Sequence, residues 1–127
     1  MSISQNIVQL KASLPANVTL VAVSKFHPAE ALMEAYSAGQ RVFGESRAQE
    51  LTAKQKVLPG DIEWHFIGPL QSNKVKDIAP FIHTIHSIDS LKLLQEVNKQ
   101  AAKNNRIIRV LLEIHVAQEE TKHGLSP

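Results

Sequence analysis

The stretch that decides the fold is Thr19-Leu-Val-Ala-Val-Ser-Lys-Phe-His-Pro28. With Val18, its first half forms a short continuous apolar run, which predicts a strand over residues 18–23 that is buried on both faces of a parallel sheet. Lys25 follows where that strand ends, and Pro28 suits the first turn of a helix. A lysine at this place can lose its proton when desolvated and attack a carbonyl to form a Schiff base, although most strand-end lysines only extend into water.

Outward from this stretch, helical and strand patterns alternate along the chain. Strands are predicted at residues 18–23, 41–45, 62–68, 81–88 and 107–116. Helices alternate with them: one carries Ile3, Ile7, Leu10 and Leu14, one is closed by Gly39, two cover about 47–57 and 73–79, and one is capped by Asp89 or Ser90. Such alternation predicts an α/β fold of parallel strands joined by helical crossovers. Two architectures fit, namely an open doubly wound sheet and the first five units of an eight-stranded (β/α)8 TIM barrel.

The composition narrows the class of protein. Of 127 residues, 43% are hydrophobic and 20% are charged, which is typical of one globular domain. The net charge is only +2 and no block of like charge occurs, so neither nucleic acid nor a membrane is an expected partner. Cysteine is absent, and no signal peptide or long apolar run is evident, so a cytoplasmic location is expected. No glycine follows the first strand, which argues against a dinucleotide or P-loop site.

Small and polar residues lie at the predicted carboxyl ends of the strands, where parallel α/β proteins form their sites. These residues are Ser24-Lys25, Gly44-Glu-Ser-Arg47, Ile67-Gly68, His86-Ser87 and His115. Serine hydroxyls and backbone amides can hold a phosphate, and a single lysine among them suits a Schiff base. Residue types alone leave open whether that base forms with pyridoxal phosphate or with an aldolase-type substrate.

The histidines raise the alternative of a metal site. His65, His86 and His115 lie on neighbouring predicted strands and could converge on a metal ion, as in a hydrolase barrel. His83 and His86 are three apart in one strand, so alternation predicts that they point to opposite faces. No His-x-His ends the first strand and no convincing aspartate ligand is present. Ordinary hydrogen bonds are therefore favoured, and no metal is expected.

Five motifs in order resemble one known family. They are Val23-Ser-Lys-Phe-His-Pro28, Phe43-Gly-Glu-Ser-Arg-Ala-Gln-Glu50, Trp64-His-Phe-Ile-Gly-Pro-Leu-Gln-Ser-Asn-Lys74, His86-Ser-Ile-Asp89 and Glu119-Glu-Thr-Lys-His-Gly124. This order is similar to that of the pyridoxal phosphate homeostasis proteins, also called the YggS or PROSC family. The resemblance covers residues 18–124, and the Trp-His-Phe-Ile-Gly-x-Leu-Gln motif makes it specific.

The resemblance implies a barrel like the alanine racemase N-terminal domain, with pyridoxal 5′-phosphate (PLP) held as an aldimine on Lys25. The cofactor-binding residues expected here are Lys25, Ser46, His65 and Ser87, without catalytic residues. It implies a carrier or regulator of intracellular PLP with no established reaction, with PLP-dependent apo-enzymes as its recipients. The alternative is a PLP-dependent amino-acid racemase of fold type III.

Departures from the family pattern put individual contacts in doubt. Ser46 and His115 stand where the family often has asparagine, so a side-chain contact to the cofactor is altered at each. The resemblance also implies that the phosphate-binding residues follow residue 127, in later barrel units. The chain is therefore expected to be a single N-terminal part of the barrel. The whole protein is expected to be monomeric, whereas this chain is expected to need its missing half or to self-associate.

Overall fold

A computed structural model describes residues 2–113 of the chain. Five strands are present, namely β1 Ala22–Val23, β2 Val42–Glu45, β3 Glu63–Phe66, β4 Ile82–Ile88 and β5 Arg109–Leu112. Five helices accompany them, namely α1 Ile3–Ser13, α2 Ala29–Ser37, α3 Ala48–Val57, α4 Val75–Ile78 and α5 Leu91–Lys103, with a 3₁₀ turn at Ser72–Lys74 before α4. The predicted α/β alternation is confirmed, although the part of the predicted fifth strand beyond residue 113 lies outside the described residues.

The order of the strands in the sheet decides between the two architectures. All five strands are parallel, and their spatial order is the chain order, β1-β2-β3-β4-β5. A doubly wound sheet reverses direction at a switch point, whereas a barrel adds each new strand beside the previous one. The described sheet has no such reversal, so the barrel prediction is confirmed and the doubly wound alternative is wrong.

The helices pack on one face of the sheet and form the core with it. The buried side chains of the strands include Phe43, Trp64, Phe66, Ile82 and Ile85. Trp64 packs against Phe43 with ring centroids 6.0 Å apart. These rings belong to the core, which confirms a packing role for Trp64.

The helix ends follow the local sequence. Ser2 caps α1 in a capping box with Gln5, and the Ser90 hydroxyl accepts from the Leu93 N–H at the start of α5. Gly39 ends α2 with a φ of +103°, a backbone conformation that favours glycine. Among residues 2–113, no helix is both long and apolar enough to cross a bilayer.

The prediction for the first strand is wrong in its length and burial. Only Ala22 and Val23 pair with β2, and Val18 and Val23 are 48% and 54% exposed. The physical reason is position, because β1 is an edge strand of the described sheet and has a partner on one flank only. Within residues 2–113, the β-branched run at residues 18–23 therefore has a neighbouring strand on one side only.

Self-association of the 127-residue chain is expected from the two sheet edges, at β1 and β5, that residues 2–113 leave uncovered. Leu111 and Leu112 on β5 are 48% and 45% exposed at the opposite edge from β1. Light scattering after size exclusion should show species larger than a monomer. Leu112→Lys should raise the monomer fraction, because a charged edge residue opposes strand pairing. Leu10→Lys, at an exposed position on α1, is the matched control and should not. A monomeric wild-type chain that melts cooperatively would contradict this prediction.

Candidate functional site

The carboxyl ends of the first four strands meet at one edge of the sheet. Ser24 donates its backbone N–H to the carbonyl oxygen of Gly44 at 2.9 Å, and its hydroxyl oxygen lies 3.2 Å from the same carbonyl oxygen. The Ile67 N–H donates to the Glu45 carbonyl at 2.8 Å, which places Gly68 beside Ser46. The Ser87 hydroxyl donates to the Gly68 carbonyl at 2.5 Å. The structure therefore brings Ser24-Lys25, Ser46, Gly68 and Ser87 to one continuous edge, as the strand-end pattern predicts.

Lys25 sits in a tight turn directly after β1. The turn closes with the His27 N–H donating to the Ser24 carbonyl at 3.1 Å, and Phe26 adopts a φ of +67°. A non-glycine residue in this left-handed region is strained and persists only where its surroundings hold it. Lys25 itself is exposed, and its amine makes no hydrogen bond or ion pair with the described residues. Its nitrogen is therefore accessible to a ligand.

A buried ionic network holds this turn from below. The ammonium of Lys54 on α3 donates to the Ser24 carbonyl at 2.8 Å, to Glu45 Oε2 at 2.9 Å and to Glu50 Oε2 at 3.0 Å. The Ser24 hydroxyl donates to the same Glu45 oxygen at 2.5 Å. The side chains of Lys54 and Glu45 are 7% and 0% exposed. One lysine thus ties helix α3, strand β2 and the turn of Lys25 together.

Glu50 connects the same network to the strained residue. The Phe26 N–H donates to Glu50 Oε2 at 2.8 Å, and the Arg47 guanidinium lies 4.9 Å from the centre of the Phe26 ring. Burial tends to raise the pKa of Glu50, but the hydrogen bonds from Lys54 and from the Phe26 N–H outweigh it and hold that pKa below its ordinary value. Glu50 is therefore an ionised acceptor that fixes the left-handed turn.

The backbones of Gly68, after β3, and Ser46, after β2, lie very close together at this edge. A Cβ placed on Gly68 would lie 2.5 Å from the Cβ of Ser46 and 2.8 Å from its carbonyl oxygen. Only glycine fits this crossing of the chain ends after β2 and β3. The Ser46 hydroxyl makes no hydrogen bond with the described residues, so it is available to a ligand.

A cleft opens beside this edge. It measures about 660 Å³ and is bordered by Phe26, Ser46, Arg47 and Lys74, among others. That volume lies within the range of small-molecule sites. Lys25 does not line it, so Ser46 and Phe26 are the residues that join the cleft to the lysine turn.

The histidines of β3 and β4 form a separate cluster. His65 Nε2 lies 2.7 Å from Glu63 Oε2, and His65 Nδ1 lies 2.8 Å from His86 Nε2. The His83 ring stacks on that of His65, with centroids 5.6 Å apart. His65 was predicted to bind the cofactor, but both its ring nitrogens are engaged within this cluster. His115, the third histidine of the metal alternative, lies outside the described residues.

The predicted opposite orientation of His83 and His86 is wrong. Both rings contact the His65 ring, because the pairing of β4 with its neighbours shifts register at Trp64/His65 and again at Ile85/Ile88. Such irregularities interrupt strict alternation and redirect a side chain. Burial, followed by the charge of His65, lowers the pKa of His86 below its ordinary value.

Sequence reasoning missed the network of Glu45, Glu50 and Lys54. The signal available was the thin apolar face of the third helix. That helix buries Ala48, Leu51 and Lys54 against the sheet. A lysine at a core-facing position of a helix, four residues after a glutamate, indicates a buried ion pair when the apolar face is otherwise incomplete.

The strand order and the strand ends place the chain in one class of protein: part of a parallel α/β barrel with an exposed lysine directly after its first strand. The family model described as alanine racemase, N-terminal domain matches residues 1–127. The chain belongs to this family. Its resemblance to the pyridoxal phosphate homeostasis proteins is likewise confirmed by the relatives that it matches.

Three known proteins illustrate the likeness. The "Pyridoxal phosphate homeostasis protein" of Schizosaccharomyces pombe is 47% identical over 113 residues, covering 87% of this chain and 48% of that protein. PipY of Synechococcus elongatus, solved with PLP bound, is 41% identical with a TM-score of 0.85, covering 93% of this chain and 57% of PipY. Alanine racemase of E. faecalis is 17% identical with a TM-score of 0.75, covering 96% of this chain and 33% of that enzyme, and shows the fold alone. The chain spans about half the length of the curated relatives that it matches.

Proposed function

We propose that this edge of the sheet binds PLP and that Lys25 forms a Schiff base with it. The observation that carries the proposal is the placement of an exposed, unpaired lysine amine in a turn that a buried ionic network fixes. The similarity to PipY, whose structure was solved with PLP bound, supports the choice of ligand.

The chemistry requires a free amine and a held ligand. The Lys25 nitrogen attacks the aldehyde carbon of PLP, water leaves, and a C=N bond joins the two. Ser46 offers an unengaged hydroxyl, and the oxygen of Ser87 remains free to accept because its proton is donated to the Gly68 carbonyl. His65 contributes no hydrogen bond in this proposal, since both its nitrogens are engaged by Glu63 and His86.

The strength of binding in this chain is expected to be modest. Barrels of this kind commonly hold phosphate after their seventh and eighth strands. Residues 2–113 supply five strands, so for the 127-residue chain tested by itself we expect a weakly held phosphate and a readily hydrolysed Schiff base. For the whole protein we propose the role that the relatives' name states, PLP homeostasis, with delivery to PLP-dependent apo-enzymes. Within residues 2–113, no observation favours the alternative of a racemase.

The proposal is tested by titrating the chain with PLP and following the visible absorbance of the Schiff base. The wild-type chain should show saturable formation of this band. Lys25→Ala should abolish the saturable component, whereas the matched control Lys56→Ala, an exposed lysine on α3, should keep it. An identical titration of the Lys25→Ala and wild-type chains would overturn the assignment.

A further inference from the structure

The cluster of β3 and β4 has a geometry that the PLP proposal does not use. His65 alternates along β3 with Trp64 and Phe66, which lie in the core, so its ring lies on the opposite face of the sheet. There Glu63 Oε2 lies 2.7 Å from His65 Nε2, and Glu63 Oε1 lies 3.5 Å from His83 Nε2. The Nε2 atoms of both imidazoles therefore face the carboxylate of Glu63.

The other nitrogen of each imidazole already has a partner. His65 Nδ1 lies 2.8 Å from His86 Nε2, and His83 Nδ1 lies 2.6 Å from the Thr84 hydroxyl oxygen. Metal-binding imidazoles commonly have a hydrogen bond on the ring nitrogen that does not bind the metal. That hydrogen bond fixes the tautomer and orients the ring so that the lone pair of the second nitrogen can bind the ion. In both rings that second nitrogen is Nε2, the atom that faces Glu63.

The spacing of the three inner atoms fits one small cation. One ligand atom each from Glu63, His65 and His83 lies within 4.8 Å of the others. Ligands at about 2.0–2.2 Å from a tetrahedral zinc ion lie roughly 3.4 Å from one another. The observed oxygen–nitrogen separations of 2.7 and 3.5 Å bracket that value. The planes of the two imidazoles are nearly parallel, so one ring must turn for both Nε2 lone pairs to point at one ion. Two imidazoles and one carboxylate also leave a fourth position open to water.

The Glu63 end of this cluster lies away from the lysine edge. Glu63 pairs in register with Val42 at the start of β2, whereas Ser46 follows the end of β2. Four residues of extended chain span about 13 Å. His86 directly precedes Ser87 and lies nearer that edge, so Glu63 and His83 are the positions at which the two proposals are tested separately.

We propose that Glu63, His65 and His83 form a binding site for a divalent transition metal, with Zn²⁺ as the ion that this set of nitrogen and carboxylate ligands suits best. His86 and Thr84 act as positioning residues, since each holds the outer nitrogen of a ligand imidazole. The sequence argued against a metal site partly because strand alternation predicted His83 and His86 on opposite faces of the sheet. The register shifts in β4 place both rings on the same face, so that argument no longer holds.

The test uses the metal-free, untagged 127-residue chain and follows the visible spectrum of added Co²⁺, with Zn²⁺ as competitor. We expect one Co²⁺ per chain with the strong absorbance of a four-coordinate site, displaced by one equivalent of Zn²⁺. His83→Ala and Glu63→Gln should each weaken binding by at least about 100-fold. His86→Gln should weaken it by about 10–100-fold, as the loss of an outer partner does.

Controls separate this site from adventitious binding and from the cofactor proposal. His27→Gln, at an exposed histidine outside the cluster, and Lys25→Ala should both keep wild-type stoichiometry and affinity. Glu63 and His83 are partly exposed, and far-ultraviolet circular dichroism would confirm that their variants fold. Absence of stoichiometric Co²⁺, or binding that survives both His83→Ala and Glu63→Gln, would overturn the proposal and leave a hydrogen-bonded cluster of imidazoles and carboxylate.

Discussion

Lys54→Met is expected to destabilise the chain by about 3–5 kcal/mol, because it leaves the buried carboxylate of Glu45 without its counter-charge. Oε1 of Glu45 is buried and has no hydrogen-bond partner in the described structure, so Oε2 carries the contacts to Lys54 and Ser24. The same substitution removes the Lys54 hydrogen bond to the Ser24 carbonyl, leaves only that from the His27 N–H, and should loosen the turn of Lys25. Urea unfolding followed by circular dichroism would measure the loss of stability.

Two further variants keep this prediction falsifiable. Lys56→Met, an exposed lysine two residues away on α3, should change the free energy of unfolding by less than about 0.5 kcal/mol. Glu45→Gln combined with Lys54→Met should be more stable than Lys54→Met alone, since no unpaired charge remains buried. Equal unfolding curves for Lys54→Met and Lys56→Met would show that the network does not stabilise the fold.

Gly68→Ala is expected to destabilise the chain by about 1–3 kcal/mol and to remove saturable PLP binding. Its new Cβ would meet the Cβ and backbone of Ser46 at 2.5–2.9 Å. Backbone cannot rotate away as a side-chain end can, so the ends of β2 and β3 must separate. That movement displaces Ser46 and the carbonyl to which Ser87 is bonded.

Gly60→Ala is the matched control for this variant. A Cβ at Gly60 would meet no atom within 4 Å, and its φ is not in the left-handed region. It should therefore bind PLP as the wild-type chain does, with unfolding unchanged or slightly stabilised. If the two alanine variants bound PLP equally well, the crossing of the chain at Gly68 and Ser46 would not be part of the site.

The sequence predicted the fold because its local signals agree with one another. The apolar spacing of α5, the serine cap at Ser90 and the left-handed glycine at Gly39 each specify an element from its own residues. These local signals do not give the strand order, since the doubly wound sheet and the barrel both alternate strands with helices. It becomes visible only in the pairing of distant strands.

The candidate site was predictable in part. Lys25, Ser46 and Ser87 were expected to lie near one another because the ends of parallel strands meet at one edge, and the structure places them at that edge. The buried Lys54 was missed, since a lysine on a helix is ordinarily exposed and only its tertiary partners Glu45 and Ser24 show otherwise. The contacts of His83 and His86 with one ring were also missed, because register shifts between strands leave no mark in a local pattern.

If Lys25 is the lysine that holds PLP, chemical trapping should show it. The chain is mixed with PLP and reduced with borohydride, and the modified peptide is mapped by mass spectrometry. We expect modification concentrated at Lys25, and its loss in Lys25→Ala with no compensating increase elsewhere. Modification scattered over many lysines, or a dominant product at another lysine, would contradict it.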